Sequence, residues 1–174
     1  MSAVGEGRRN DLREHDFPAD FRDFIHALNA HGVDYVLVGG YAVGMYGHVR
    51  ATSDIDFFYR RTSENVKRLV RAMLAFGAPA DVIDPEHLGT ENRVTAFGAP
   101  PHRIDLLASI SGVSFEEAIA NAVRLDVDGE PLRVIGLDAL RANKKASKRR
   151  KDLDDLKRLA SVRLPDATRS PRRD

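Results

Sequence analysis

Cysteine is absent from this chain of 174 residues. Without it there is no disulfide framework and no thiolate metal site, nothing points to an oxidising compartment, and a cytoplasmic location is the expectation. An excess of one charge is missing as well: Lys plus Arg total 27 and Asp plus Glu 26, a net +1. That balance gives no global argument for a polyanionic partner, so any nucleic-acid case rests on local charge. The N-terminal stretch MSAVGEGRRNDLREHD lacks the apolar segment of a signal peptide. No later apolar run approaches the ~20 residues that span a bilayer, so no membrane partner is expected.

What is present suffices for one ordinary core, since 43% of residues are hydrophobic. We expect one domain over residues 17–163, with polar, turn-rich ends at 1–16 and 164–174 that read as disordered. Phe17, Phe21, Phe24, Ile25 and Leu28 recur at helical steps, predicting a helix over Pro18 to His31 that stops near Gly32. Tyr35-Val-Leu-Val38 suits a buried strand running into a tight turn at Gly39-Gly40, with a second helix over Tyr41 to His48. Asp54-Ile-Asp-Phe-Phe-Tyr59 reads as a second strand. A helix from Ser63 follows, with Val66, Leu69, Val70, Met73 and Leu74 on its apolar face.

After a loop around Asp84-Pro85, the extended runs Arg93 to Phe97 and His102 to Ile110 flank Gly98-Ala-Pro-Pro101 as an antiparallel hairpin at a sheet edge. Ser114-Phe-Glu-Glu117 resembles a capping box, and Leu125 to Ile135 suits a short β pair around Asp128-Gly129. A basic helical stretch from Leu137 to about Val162 closes the pattern. The expected class is α/β (α+β): a mixed sheet with flanking helices and a C-terminal helical segment.

Strand side chains alternate faces, so Asp54 and Asp56 point the same way and Ile55 faces the core. Paired carboxylates repel unless a cation lies between them or one is protonated, and hard oxygen donors at this spacing suit Mg²⁺ or Mn²⁺. Asp105, a lone acid in the apolar strand Arg103-Ile-Asp-Leu-Leu107, needs a charged or metal-bound reason to be there. Three acids on adjacent strands suffice for two ions, the arrangement that serves in-line displacement at a triphosphate. Asp-Ile-Asp by itself is more often a solvated strand end.

Gly39-Gly40 after an apolar strand lets backbone amides approach a phosphate at a helix start, although a plain turn explains two glycines equally well. The stretch Gly39-Gly40-Tyr41-Ala42-Val43-Gly44 misses the dinucleotide fingerprint, and no G-K-[ST] phosphate loop is present.

Taken whole, Val38-Gly-Gly-Tyr-Ala-Val-Gly-Met-Tyr-Gly-His-Val-Arg-Ala-Thr-Ser-Asp-Ile-Asp56 resembles the signature of the DNA polymerase β-like nucleotidyltransferase superfamily. It is most similar to minimal bacterial members such as the AbiEii-type toxins. The matching elements are Gly39 and Gly40, Arg50, Thr52 and Ser53 in the Arg-x-Thr-x-Asp-x-Asp element, Asp54 and Asp56, and later Asp105. Lys144, Arg149 and Lys151-Asp-Leu-Asp-Asp-Leu156 repeat the order of the relatives' C-terminal helix.

The resemblance covers roughly residues 33–160. It implies a nucleotidyltransferase domain that binds a nucleoside triphosphate such as ATP with Mg²⁺ and transfers a nucleotide to a hydroxyl. Asp54, Asp56 and Asp105 would then be catalytic and metal-binding, and Gly39, Gly40, Arg50, Thr52, Ser53 and Lys144 nucleotide-binding. Many relatives carry Gly-Ser at the turn. Gly-Gly here removes one hydroxyl contact to phosphate.

The run Lys144-Lys-Ala-Ser-Lys-Arg-Arg-Lys151 suits a triphosphate tail first and RNA second, and a solvated helix face is the bland alternative. It has no interleaved aromatics, so base stacking is unsupported. The six histidines show no paired ligand spacing, and Tyr41, Tyr46 and Tyr59 fit a core better than a base-stacking role. Leu153, Leu156 and Ala160 are expected to pack on the sheet, with Lys151 and Arg158 near the surface.

Two functions follow. One is an Mg²⁺-dependent enzyme acting on tRNA or other RNA, on protein or on a small molecule, in a toxin–antitoxin setting or as a drug-modifying enzyme. The other is a catalytically inactive relative that binds RNA or a protein partner. The resemblance also implies a small antitoxin or repressor as partner.

Overall fold

The computed structural model describes residues 17–48 and 51–163, so the expected disordered ends and Arg50 lie outside the described residues. Thirteen α-helices and β-strands follow one another among the described residues: α1 (Ala19–Ala30), β1 (Tyr35–Val38), α2 (Gly39–Met45), β2 (Asp54–Tyr59), α3 (Ser63–Phe76), α4 (Pro85–Gly89), β3 (Val94–Phe97), β4 (Arg103–Leu107), α5 (Phe115–Ala120), β5 (Val123–Val127), β6 (Glu130–Val134), α6 (Leu137–Ser147) and α7 (Arg150–Leu159). The strands form one mixed six-stranded sheet in the order β3-β4-β2-β1-β6-β5. Pairing is parallel for β1–β6 and β2–β4 and antiparallel elsewhere, as a mixed α/β pattern implies.

Alternation sorts the central strands into two faces. Leu37, Ile55, Phe57, Ile104 and Leu106 share one face and are almost fully buried. Phe24 of α1 packs on Phe57, Phe76 and Phe97 there, with ring centroids 5.1–5.7 Å apart. Each such aromatic pair contributes roughly 0.5–1.5 kcal/mol beyond simple burial. Helices α1 and α3 cover this side. The stripe of α3 runs through Val66, Leu69, Ala72 and Met73, whereas Leu74, expected inside, is 61% exposed because it falls one step off that stripe. Asn65 takes the remaining inward position, donating to the carbonyls of Asp34 and Arg60 and accepting from the Asp34 N–H. It ties the start of β1 to the end of β2.

The opposite face carries Val36, Val38, Asp54, Asp56, Phe58, Arg103 and Asp105. Phe115 of α5 covers Phe58, with ring centroids 5.3 Å apart, and leaves the acidic end of the sheet uncovered.

Three further expectations need correction. The loop around Asp84-Pro85 leads into the short helix α4: Asp84 accepts from the amides of Glu86 and His87, and Pro85 occupies the first turn. The basic C-terminal stretch is two helices, broken at Lys148, which adopts a left-handed backbone with φ 56°. The inward face of α7 is Asp152, Asp155 and Leu159, and Leu153 is 42% exposed, the reverse of the expected packing. The reason is electrostatic: Lys144 of α6 is buried and draws both aspartates inward to pair with it. Tyr46 and Tyr59 are core residues, as expected, with their hydroxyls donating to the carbonyls of Ile135 and Leu88. The capping box at Ser114 forms with Glu117.

Candidate active site

Strands β2 and β4 run parallel with Asp54 opposite Arg103 and Asp56 opposite Asp105. Registered residues on adjacent strands lie side by side on one face. The result is a square of four side chains, three acids and one base. Carboxylate oxygens of Asp54, Asp56 and Asp105 all lie within 4.8 Å of one another. Asp105 is buried, and Asp54 and Asp56 are half-buried.

Each acid has its own surroundings. Thr52 donates its hydroxyl to Oδ1 of Asp54 at 3.0 Å, which fixes that carboxylate at the start of β2. Arg103 donates to both oxygens of Asp105, from Nε at 2.8 Å and Nη2 at 2.7 Å, and Nη2 reaches Oδ2 of Asp54 at 3.2 Å. Burial, together with the charges of Asp54 and Asp105, pushes the Asp56 carboxyl up to about 7. Two like charges and a dry environment both disfavour its ionised form.

The glycine turn is part of the same construction. Gly39 has φ +70°, and a Cβ there would fall 2.0 Å from Oδ2 of Asp56. Only a residue without a side chain lets β1 end this close to that carboxylate. Gly39 and Gly40 line a cleft of about 660 Å³ together with the triad, Thr52 and Arg103. The far wall comes from the β3–β4 region (Asn92, Arg93, Ser109, Ser111) and from α6 and α7 (Asn143, Lys144, Arg149, Lys151).

Of the residues singled out from the sequence, the structure brings Gly39, Gly40, Thr52, Asp54, Asp56, Asp105 and Lys144 to this cleft. Ser53 is exposed and is not among the lining residues. Lys144 is only 3% exposed, and its ammonium lies 2.7 Å from Asp152 and 3.2 Å from Asp155. Ser147 and Arg149 also donate to Asp152. Burial raises the Asp152 carboxyl, but these hydrogen bonds outweigh it and hold the group down at about 2.

Sequence reasoning passed over Arg103, although its signal was present. Arg103 and Asp105 stand two apart on one strand, as Asp54 and Asp56 do, and must share a face. Asn92, Ser109, Ser111 and Asn143 gave no signal, because distant loops and helices assemble that wall.

Residues 18–169 match the family model described as nucleotidyl transferase of unknown function (DUF2204). No curated protein matches the chain. The antibiotic-resistance factor ANT(2'')-Ia, determined in solution, is 16% identical with a TM-score of 0.50, covering 81% of this chain and 80% of that one. A crystal structure of ANT(2'')-Ia in complex with adenylyl-2''-tobramycin is 15% identical with a TM-score of 0.50, covering 80% and 84%. An antigenic nucleotidyltransferase-like protein from Paracoccidioides brasiliensis is 15% identical with a TM-score of 0.53, covering 84% and 77%. At these identities the likeness is one of fold. No helix among the described residues is long and apolar enough to cross a membrane. The match over most of its length makes this chain a member of the DUF2204 family of nucleotidyl transferases.

Proposed function

We propose that the chain is a metal-dependent nucleotidyltransferase that moves a nucleoside monophosphate from a nucleoside triphosphate to a hydroxyl acceptor. One observation carries this reading: three carboxylates from two adjacent strands converge within 4.8 Å beside a cleft large enough for a nucleotide. The set fits a divalent cation. All its donors are hard oxygens, and burial together with the charges of Asp54 and Asp105 pushes the Asp56 carboxyl up, a penalty that a bound cation would offset. Asp54, Asp56 and Asp105 would hold Mg²⁺ or Mn²⁺, which supplies neutralisation of phosphate charge and a lowered pKa for the attacking hydroxyl.

The chain's own groups do the rest. Thr52 keeps the Asp54 carboxylate in one orientation. Backbone at Gly39-Gly40 receives the phosphates, as does Arg50. Exposed Arg149 and Lys151 supply cationic contact to the triphosphate tail, while Lys144 adds its field from within the wall. The acceptor oxygen forms a bond to the α-phosphorus, the bond from that phosphorus to the bridging oxygen breaks, pyrophosphate leaves, and Asp105 takes the hydroxyl proton. RNA, a protein side chain and a small molecule are the acceptor classes. The adenylyl-2''-tobramycin bound by one fold neighbour supports including the last.

Purified protein incubated with each nucleoside triphosphate, labelled at the α-phosphorus, tests this in the presence of total RNA, lysate protein or tobramycin. Label should move only with Mg²⁺ or Mn²⁺, and not with an Asp54→Ala/Asp56→Ala variant. Absence of transfer with every nucleotide, together with no cation-dependent triphosphate binding by calorimetry, sinks the enzyme reading and favours a partner-binding module.

A further inference from the structure

Arg103 is the fourth corner of the square, and it is engaged. Its guanidinium makes a two-point contact with Asp105, at 2.8 and 2.7 Å, and a third contact with Asp54 at 3.2 Å. It does not reach Asp56 by any hydrogen bond or ion pair described in the structure. The three acids are therefore divided. Arg103 serves Asp54 and Asp105, whereas among the described residues no cationic side chain is hydrogen-bonded to or ion-paired with Asp56, on which Lys144 and Lys151 act only from a distance.

We propose that Arg103 is a positioning residue that acts as a built-in counter-ion and makes the two halves of the carboxylate set unequal. The inference rests on the metal-dependent reading above. In the resting protein, one divalent cation enters at Asp54–Asp56. The Asp105 position takes a second only when Arg103 gives up its contact. Three features support this. The cross-strand register places Arg103 directly beside Asp54 and two residues before Asp105 on the same face, so its contacts follow from the strands themselves. Its planar fork matches a carboxylate at two points, which a lysine could not do. Its side chain is 40% exposed on the border of the cleft, so it has a path away from Asp105, whose own side chain is 8% exposed and does not. A cation held in this way prevents repulsion from opening the strand pair before nucleotide arrives. It also opposes a second positive ion in the same place.

The test is Mn²⁺ binding to the full chain without nucleotide, followed by electron paramagnetic resonance of the free ion. Wild type should bind one Mn²⁺ per chain, with a second at least ~10-fold weaker, the scale expected when a like charge sits within hydrogen-bond distance of the ligand oxygens. Arg103→Gln should tighten the second site ~10-fold or more, and Arg103→Lys, which keeps the charge and loses the fork, should fall between. Arg93→Gln removes the same charge from a cleft residue with no described contact to the triad, and should leave the isotherm within ~2-fold of wild type. In EDTA, Arg103→Gln should melt below wild type, and Mn²⁺ should raise its Tm by more.

Equal isotherms for wild type, Arg103→Gln and Arg103→Lys overturn the counter-ion role and leave the enzyme reading standing. A matching gain from Arg93→Gln also overturns it, because the effect would then be general charge. No Mn²⁺ binding by any of the four proteins overturns the counter-ion role, and the labelling assay then decides the enzyme reading.

Discussion

Gly39 and Asp56 are built around each other: a Cβ at Gly39 would lie 2.0 Å from the Asp56 carboxylate, and the glycine's φ of +70° is one that side chains rarely adopt. The glycine after β1 therefore makes room for a site carboxylate as well as bringing backbone to the cleft. Gly39→Ala should lose most nucleotidyl transfer and destabilise the fold by roughly 1–3 kcal/mol, the usual cost of a strained backbone. Urea unfolding and the labelling assay check the two halves. Wild-type stability in the variant would mean that Asp56 has another place to go.

Asp56 is half-buried beside two like charges. Asp56→Asn relieves that repulsion and should raise stability by about 1 kcal/mol in EDTA near neutral pH while abolishing transfer. Thermal melts with and without Mg²⁺ separate the effects, since the gain should shrink or reverse when wild type is loaded with the ion.

Lys144 holds α6 and α7 together through Asp152 and Asp155. Lys144→Met would take the buried ammonium away from Asp152 and Asp155, at a cost of up to about 3–5 kcal/mol. Adding Asp152→Asn to Lys144→Met should recover part of that loss. If Lys144→Met keeps wild-type stability and only raises KM for the triphosphate, the lysine is a phosphate ligand rather than a clamp.

Acid stability should report the same cluster. The Asp152 carboxyl is lowered from 3.8 to about 2, because contacts from Lys144, Ser147 and Arg149 outweigh the effect of burial. A depressed folded pKa gives stability that is complete above the unfolded value and is lost as pH falls toward the folded one. The contribution is about 2 kcal/mol, disappearing between roughly pH 4 and 2. Urea titrations across that window should show a shallower loss in Asp152→Asn than in wild type.

Most of the frame was legible from local pattern. Buried α1 residues Phe21, Phe24, Ile25 and Leu28 stand at helical steps, and the β3–β4 and β5–β6 hairpins are marked by their turn residues. Leu74 and Leu153 of α7, both expected inside, are exposed for opposite reasons. Leu74 lies beside an inward stripe, where periodicity alone cannot separate adjacent positions. In α7 a buried lysine overrides hydrophobicity and turns two aspartates inward.

By itself, then, the amino-acid order determines that Asp54 and Asp56 share a face, that Arg103 and Asp105 do too, and that a glycine turn ends the strand before them. These are consequences of a two-residue repeat and a backbone restriction, and both act within a few residues. That the two pairs form one square was decided only by the tertiary structure. Strands β2 and β4 are brought into parallel register by a connection of some forty residues running through α3, α4 and β3, and a one-residue slip would have turned every carboxylate of one strand to the other face. Whether Arg103 meets Asp105, and whether Lys144 is exposed or clamped, depends on which side chains that register and the α6–α7 break bring within 3 Å or so of each other, because charge acts through space and carries no mark in the spacing of the chain.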